Sequence, residues 1–426
     1  MHTASRVTQI SVLALGIAGA LAFGQAQASG FQLRENSVKN LGRANTGTAV
    51  AEDDASVVAN NPAAMVNLTQ STFQIDATDI DLDAEFTGGG FADAGTPLQN
   101  PLSGGNGGDP GSPKVVPAVA FVMPVGDAFR LGASVSAPFG LKTEYDNGWQ
   151  GRYFAQESSV KVVDLTLSQA VDFGTALFSN PATRPLPFAS PQAADGFAKV
   201  QADDTGFGFV VGANFTPTDK LAIGLSYRSE IDYELSGSVD WTVPDNVAAV
   251  FAAGPSTRAL FQDGGMTADL TTPSITSLDM RYDFTDRVAM MATWTKTGWS
   301  SMREVRIDFD NPDPDSVEPF DWHDTRFMSL GAEFKLNDSF TLRAGVAHDE
   351  TPTPIETRSP RLPDADRTWY SVGATWRAAR ALEVNFGYTR IQPDAPHVDI
   401  TARGSHLVGP FDGHADLYGV SAQYKF

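Results

Sequence analysis

Residues 220–235 alternate with a period of two. Leu221, Ile223, Leu225, Tyr227, Ser229, Ile231, Tyr233 and Leu235 share one parity. Ala222, Gly224, Ser226, Arg228, Glu230, Asp232 and Glu234 share the other. A two-residue period places the sets on opposite faces of a strand, one apolar and one small or charged. The pattern recurs at Phe129–Ala137, Leu278–Phe284, Leu382–Tyr388 and Tyr418–Phe426. No stretch after the first thirty residues is apolar enough for a membrane helix, whereas about 9–11 tilted strand residues cross a bilayer. Short turns at Gly126-Asp127, Pro217 to Lys220, Thr285 to Arg287, Asn337-Asp338 and Ala378 to Arg380 alternate with long stretches. The long ones lie at about 88–113, 140–157, 174–202, 242–271, 311–322, 350–366 and 394–412. Short turns on one side and long loops on the other are the signature of an antiparallel transmembrane β-barrel. Seven long loops imply 14 strands and six short turns, yet only five turns are visible. Residues 158–173 are too few for the missing hairpin, so either it is truncated or a strand lies within 174–202.

The first 28 residues differ from the rest. Arg6 is followed by an apolar run from Val12 to Phe23 and by Ala26-Gln27-Ala28, a small-x-small cleavage site. This predicts a secretory signal peptide over 1–28, too short in its apolar run to span a membrane. The chain carries 30 Lys and Arg against 51 Asp and Glu, a net charge of −21, which excludes a phosphate-backbone footprint and predicts no nucleic-acid partner. With no cysteine, there is no disulfide framework, thiol nucleophile or Cys-ligated metal.

Residues 29–70 do not alternate and are mostly small or polar. A barrel of 14 strands is wider than its own side chains can fill, so this segment is expected to plug it, with 71–426 forming the wall. The chain here resembles a known family, the FadL/TodX-type outer-membrane transporters of long-chain fatty acids and related hydrophobic molecules. The resemblance rests on Ser29-Gly30-Phe31-Gln32-Leu33, Leu41-Gly42-Arg43-Ala44, Asp53-Asp54-Ala55, Asn61-Pro62-Ala63, Gly206-Phe207-Gly208-Phe209, the run Gly224 to Ile231, and Tyr424-Lys425-Phe426. It implies an all-β, 14-stranded barrel in the bacterial outer membrane with an N-terminal hatch. It further implies ligand capture outside, an interior pocket entered by the N-terminal segment (Gly30, Phe31, Gln32, Leu33), a hatch motif at Asn61, Pro62 and Ala63, and lateral release at a kinked third strand. The short 158–173 segment departs from that pattern.

The expected partners are a long-chain fatty acid or other hydrophobic small molecule, outer-membrane lipid and lipopolysaccharide, and the assembly machinery that reads an aromatic C-terminus such as Phe426. The expected unit is a monomer. Apolar side chains in two long loops, among them Phe178, Leu186, Phe188, Phe197, Val247, Val250, Phe251, Leu260 and Phe261, favour a hydrophobic-ligand transporter over a diffusion porin or a surface-binding barrel. No cofactor, metal site or enzymatic activity is expected. His397, His406 and His414 lie at spacings that match no zinc pattern, and no G-x-S-x-G occurs. The glycine-rich GGNGGDPG (104–111) lacks the ending of a phosphate loop.

Overall fold

The computed structural model describes residues 30–111, 113–125, 129–161, 164–172 (backbone course only), 192–254 and 257–426, together with 182, 183, 185, 186, 189 and 190. The expected signal peptide, the turn at Gly126-Asp127, Phe178 and Phe188 lie outside the described residues.

The described chain is mostly strand. In order the strands are β1 (Thr72–Phe86), β2 (Gly89–Ala92), β3 (Asn100–Pro101), β4 (Lys114–Val125), β5 (Phe129–Val135), β6 (Gly140–Glu144), β7 (Glu157–Lys161) and β8 (Asp164–Asp172). Then come β9 (Asp195–Asp203), β10 (Val210–Thr218), β11 (Leu221–Arg228) and β12 (Ile231–Thr242). After a helix over Asp245–Ala253 follow β13 (Gly264–Thr272), β14 (Ile275–Thr285), β15 (Val288–Thr297), β16 (Glu304–Phe309), β17 (Ser316–Pro319) and β18 (Thr325–Lys335). The last are β19 (Phe340–Asp349), β20 (Arg367–Arg377), β21 (Leu382–Pro393), β22 (His397–Ala402) and β23 (Ser405–Lys425). All pairings are antiparallel, and β23 closes on β1 in register from Thr72↔Lys425 to Phe86↔Phe411.

Several passes are broken into a lower and an upper strand: β5 with β6, β9 with β10, β11 with β12, β13 with β14, β15 with β16, and β17 with β18. The lower pieces belong to a 15-stranded sheet and the upper ones to an 8-stranded sheet. The break inverts the pattern of faces. Leu225 and Tyr227 in β11 are exposed, while Ser226 is buried. Past Ser229-Glu230 the same parity turns inward, and Tyr233, Leu235 and Val239 of β12 are buried. The single continuous face expected for Leu221 to Leu235 is therefore two faces. The reason is the change of solvent. Lipid rewards an apolar exterior, and the water above it rewards an apolar interior.

The strand count resolves in an unexpected way. β7 and β8 form a short hairpin, paired from Glu157↔Ser168 to Lys161↔Asp164. β9, which pairs with β8, lies at Asp195–Asp203, inside the stretch expected to be loop. Both alternatives for this region thus hold. The hairpin is truncated, and a strand does occupy the end of 174–202. Among the described residues fourteen passes are present, but two stop high in the wall. Below them, among the described residues, β5 pairs only with β4 and β10 only with β11. Among the described residues, the lower wall is open between β5 and β10.

Candidate ligand and gating site

The N-terminal segment lies inside this wall, and its two flanks meet it differently. The first flank carries all of the segment's charge. Lys39 Nζ lies 2.9 Å from Glu383 Oε2, 3.1 Å from Asp53 Oδ2 and 3.1 Å from Gln423 Oε1. Arg43 Nη1 donates to Glu333 Oε1 at 2.6 Å. Glu333 also receives Arg281 Nη1 at 2.9 Å and Arg343 Nε at 2.7 Å, so three guanidinium groups converge on one carboxylate. Backbone bonds add to this. Val38 N–H donates to Asp76 Oδ1 at 2.8 Å, Gly47 N–H to Thr293 Oγ1 at 2.8 Å, and Thr389 Oγ1 to the Leu41 carbonyl at 3.0 Å.

The second flank has no charged residue between 55 and 70. Asn61 caps a 3-10 helix over Pro62–Asn67, accepting from the Ala63 N–H at 3.2 Å. Pro62 suits the first helical position, where a backbone N–H has no partner. The Asn61 amide donates to the Ala49 carbonyl at 2.7 Å and to the Ala213 carbonyl of β10 at 3.1 Å. Arg130 Nε of β5 donates to the Leu68 carbonyl at 2.9 Å. Arg228 Nη2 donates to the Ala59 carbonyl at 3.0 Å, and Ser226 Oγ donates to the Asn60 carbonyl. The 3-10 helix touches both β5 and β10 and so occupies the opening between them. Two glycines admit it. A Cβ on Gly132 would meet Met65 Sδ and Val58 Cγ2 at 2.6 Å, and one on Gly212 would overlap Asn61 Oδ1. Exposed apolar side chains rim the opening: Phe129 and Leu131 on one side, and Phe207, Phe209, Val211 and Phe215 on the other.

At its start the segment reaches the upper sheet. Gln32 bridges to Phe139, Leu33 N–H donates to the Pro138 carbonyl at 2.8 Å, and Gly140 N–H donates to the Phe31 carbonyl at 2.8 Å. These bonds lie at the break between β5 and β6. Gly30 has φ +60°, and a Cβ there would meet Trp299 at 2.8 Å, so glycine is required twice over. Its N–H donates to Asp364 Oδ2 at 2.9 Å. Phe31 is 4% exposed. Its ring centroid lies 5.0 Å from that of Trp299 and 5.7 Å from those of Phe139 and Trp322. Met302, Leu141 and Leu362 complete the cluster. Glu35 is buried, and that burial pushes its carboxyl up to about 7 against the backbone N–H bonds and Arg34 that lower it.

The Phe31 cluster connects upward. Val160, Leu270 and Phe320 pack against it and against the core of the upper sheet. Above lies a cavity of about 430 Å³ with Trp241, Phe261, Ile307 and Phe309 in its lining. Of the apolar loop residues expected to capture ligand, Leu186, Val247, Val250, Phe251 and Phe261 pack on one another. The structure brings Phe31 together with Trp299, Trp322 and Asp364, none of which the sequence singled out. Their signal was faint: Trp299 follows Gly298 just past the end of β15, where the alternation stops.

The chain matches the family described as Outer membrane protein transport protein (OMPP1/FadL/TodX) over residues 19–426. It is 28% identical to outer membrane protein P1 of Haemophilus influenzae, over 97% of this chain and 98% of that one. It is 25% identical to the long-chain fatty acid transport protein of Escherichia coli strain K12, over 99% of this chain and all of that one. A solved Pseudomonas aeruginosa FadL homologue superposes with a TM-score of 0.85 at 26% identity, covering 93% of this chain and 100% of that one. The Pseudomonas putida toluene transporter TodX shares the fold, with a TM-score of 0.62 at 16% identity, over 94% of this chain and 100% of that one. The chain therefore belongs to the OMPP1/FadL/TodX family of outer-membrane transport proteins.

Proposed function

We propose that the protein takes up long-chain fatty acids or related hydrophobic molecules across the bacterial outer membrane, and that residues 29–70 are the hatch. The observation that carries this reading is the open lower wall between β5 and β10, closed by the uncharged helix Pro62–Asn67. A hydrophobic solute gains about 0.8 kcal/mol for each buried CH₂, so a water-filled pore gives it no favourable path. An apolar route ending at lipid does. Ligand lands on the loop cluster at the half-buried Val250 and Phe251 and enters the cavity beside Trp241. It then competes with Phe31 for the aromatic cluster below. The ring of Phe31 stands where an acyl chain or hydrocarbon would lie, so Gly30, Phe31, Gln32 and Leu33 form the displaceable element. Asn61, Pro62 and Ala63 form the piece that leaves the wall. Ligand drives this only by binding the open state better than the closed one. The exit lies beside the third pass, as the resemblance implies, but the truncated β7–β8 hairpin widens it into a gap rather than a kink. Lipid and lipopolysaccharide surround the wall, the assembly machinery reads Phe426, and the working unit is a monomer.

The test is uptake of labelled long-chain fatty acid in cells lacking their own transporter, with planar-bilayer conductance in parallel. The intact protein should restore uptake and conduct poorly. A protein lacking residues 29–70 should conduct ions. If the intact protein passes small hydrophilic solutes and neither binds nor carries any hydrophobic compound tried, it is a porin.

A further inference from the structure

A second cavity, of about 90 Å³, lies between the hatch and the wall at the inner mouth of the opening. Unlike the cavity above, its lining is polar. Arg34, Asn45 and Asn60 contribute from the hatch, Ser136 from the end of β5, and Ser226 and Arg228 from β11. None of its lining residues is acidic, in a chain with a net charge of −21. Among the described residues, two guanidinium groups therefore face a space without a lining carboxylate.

The hydrogen bonding is incomplete in the same place. Asn45 is 3% exposed, yet its amide nitrogen and oxygen have no partner. Arg34 Nε is also buried without one. The rest of that guanidinium is only loosely held, 3.3 Å from Gln32 Oε1 and 3.9 Å from Asp349, with its carbon 4.1 Å above the Phe327 ring. Arg228 donates to the Ala59 carbonyl, and among the described residues no carboxylate lies within ion-pair distance of it. Buried donors left without acceptors are destabilising, and more so when charged. A site that keeps them is built for an acceptor that arrives.

We propose that this chamber is a carboxylate waypoint, in which the head group of a fatty acid is held by Arg228, Arg34 and the Asn45 amide while its tail passes toward the opening. This rests on the transport reading above and names the ligand class that reading leaves open: an anionic amphiphile rather than an alkane or arene. The chamber is large enough for a carboxylate and its neighbouring methylenes but not for a whole chain, so it reads the head group alone. Its position below the Phe31 cluster makes it a later stop than the aromatic pocket. A carboxylate accepts hydrogen bonds only, which suits the three donors, and Arg34 and Arg228 hold it with charge.

The experiment compares oleate with oleyl alcohol, which has the same tail and no charge, in proteoliposomes containing the full protein. Arg228→Met should cut oleate uptake about tenfold relative to oleyl alcohol, as expected for a lost charge-assisted bond. Arg228→Lys should restore most of it. Asn45→Gly tolerates the φ of +51° at that position and breaks no bond within the protein, so it should lower the oleate ratio by a smaller factor with unaltered folding. If oleate and oleyl alcohol fall together in every variant, or if neither changes, the chamber holds only water and the proposal is overturned. If the unaltered protein carries neither compound, the transport reading itself fails, which is a separate outcome.

Discussion

The two flanks of the hatch are held by different physics. From residue 34 to 54 it carries seven charged side chains, and Lys39 and Arg43 are locked into carboxylates on the far wall. From 55 to 70 it carries none, and it meets the wall through carbonyl oxygens, one amide and apolar packing on two glycines. The strands behind the first flank are paired on both sides. Two of the strands beside the second, β5 and β10, are each paired on one side only among the described residues. Burying ion pairs costs desolvation, but once made they are hard to break singly, because each break leaves a charge uncompensated. The second flank offers the wall only neutral groups, even to Arg130 and Arg228, so opening it separates no pair of opposite charges. On the proposed reading, the difference separates an anchor in the plug from a door.

Four substitutions sharpen that contrast. The largest effect should follow loss of Glu333, on which Arg43, Arg281 and Arg343 converge. Glu333→Ala should lower the unfolding free energy of the refolded barrel by about 3–5 kcal/mol, read by urea titration of tryptophan fluorescence. A loss under about 1 kcal/mol would mean that the charged flank anchors nothing.

Next is the pH dependence set by Glu35, whose carboxyl burial raises to about 7. Its folded value lies above the unfolded one, so the folded state binds the proton more tightly. Its contribution is therefore most favourable below about pH 4.5 and declines as pH rises through 7, by about 3 kcal/mol in all. The stability difference between the protein and Glu35→Gln should trace that slope. A flat difference would show that the carboxyl is solvated.

The smallest effect concerns Phe31. Phe31→Ala vacates space among Trp299, Trp322 and Phe139. Filling it with roughly two further methylenes of a ligand tail should tighten binding about tenfold, seen as quenching of tryptophan fluorescence at lower ligand concentration. Pro62→Ala should instead slow uptake with little change in binding.

Much of this architecture was legible in the residues. The parity of Leu278–Phe284 and Tyr418–Phe426 gave the lipid face, and the shortness of 158–173 located the interrupted wall. Even the two flanks could be read from where charge stops along the hatch. The inversion at Ser229-Glu230 could not. The residues keep alternating through it, and only the level of the water boundary decides which face is apolar. The aromatic cluster was hidden for a different reason. Trp299 and Trp322 follow the ends of separate strands, and topology alone brings them to Phe31. Likewise, the chamber of Arg34, Asn45 and Arg228 joins positions far apart in the chain, and its meaning lies in partners that are missing.

The central claim is that the uncharged flank opens and the charged one stays. It is tested by tying the door shut. Met65 and Val58 both lie against Gly132 of β5, so the Met65→Cys, Gly132→Cys pair is made together with Val58→Ala, which clears the space for the new Cβ, and the chain has no other cysteine to interfere. Under oxidising conditions the pair should still bind fatty acid but lose its uptake, and a reductant should restore it. Undiminished uptake with the bond formed would mean that ligand leaves by another route, and the door would have to be sought elsewhere in the wall.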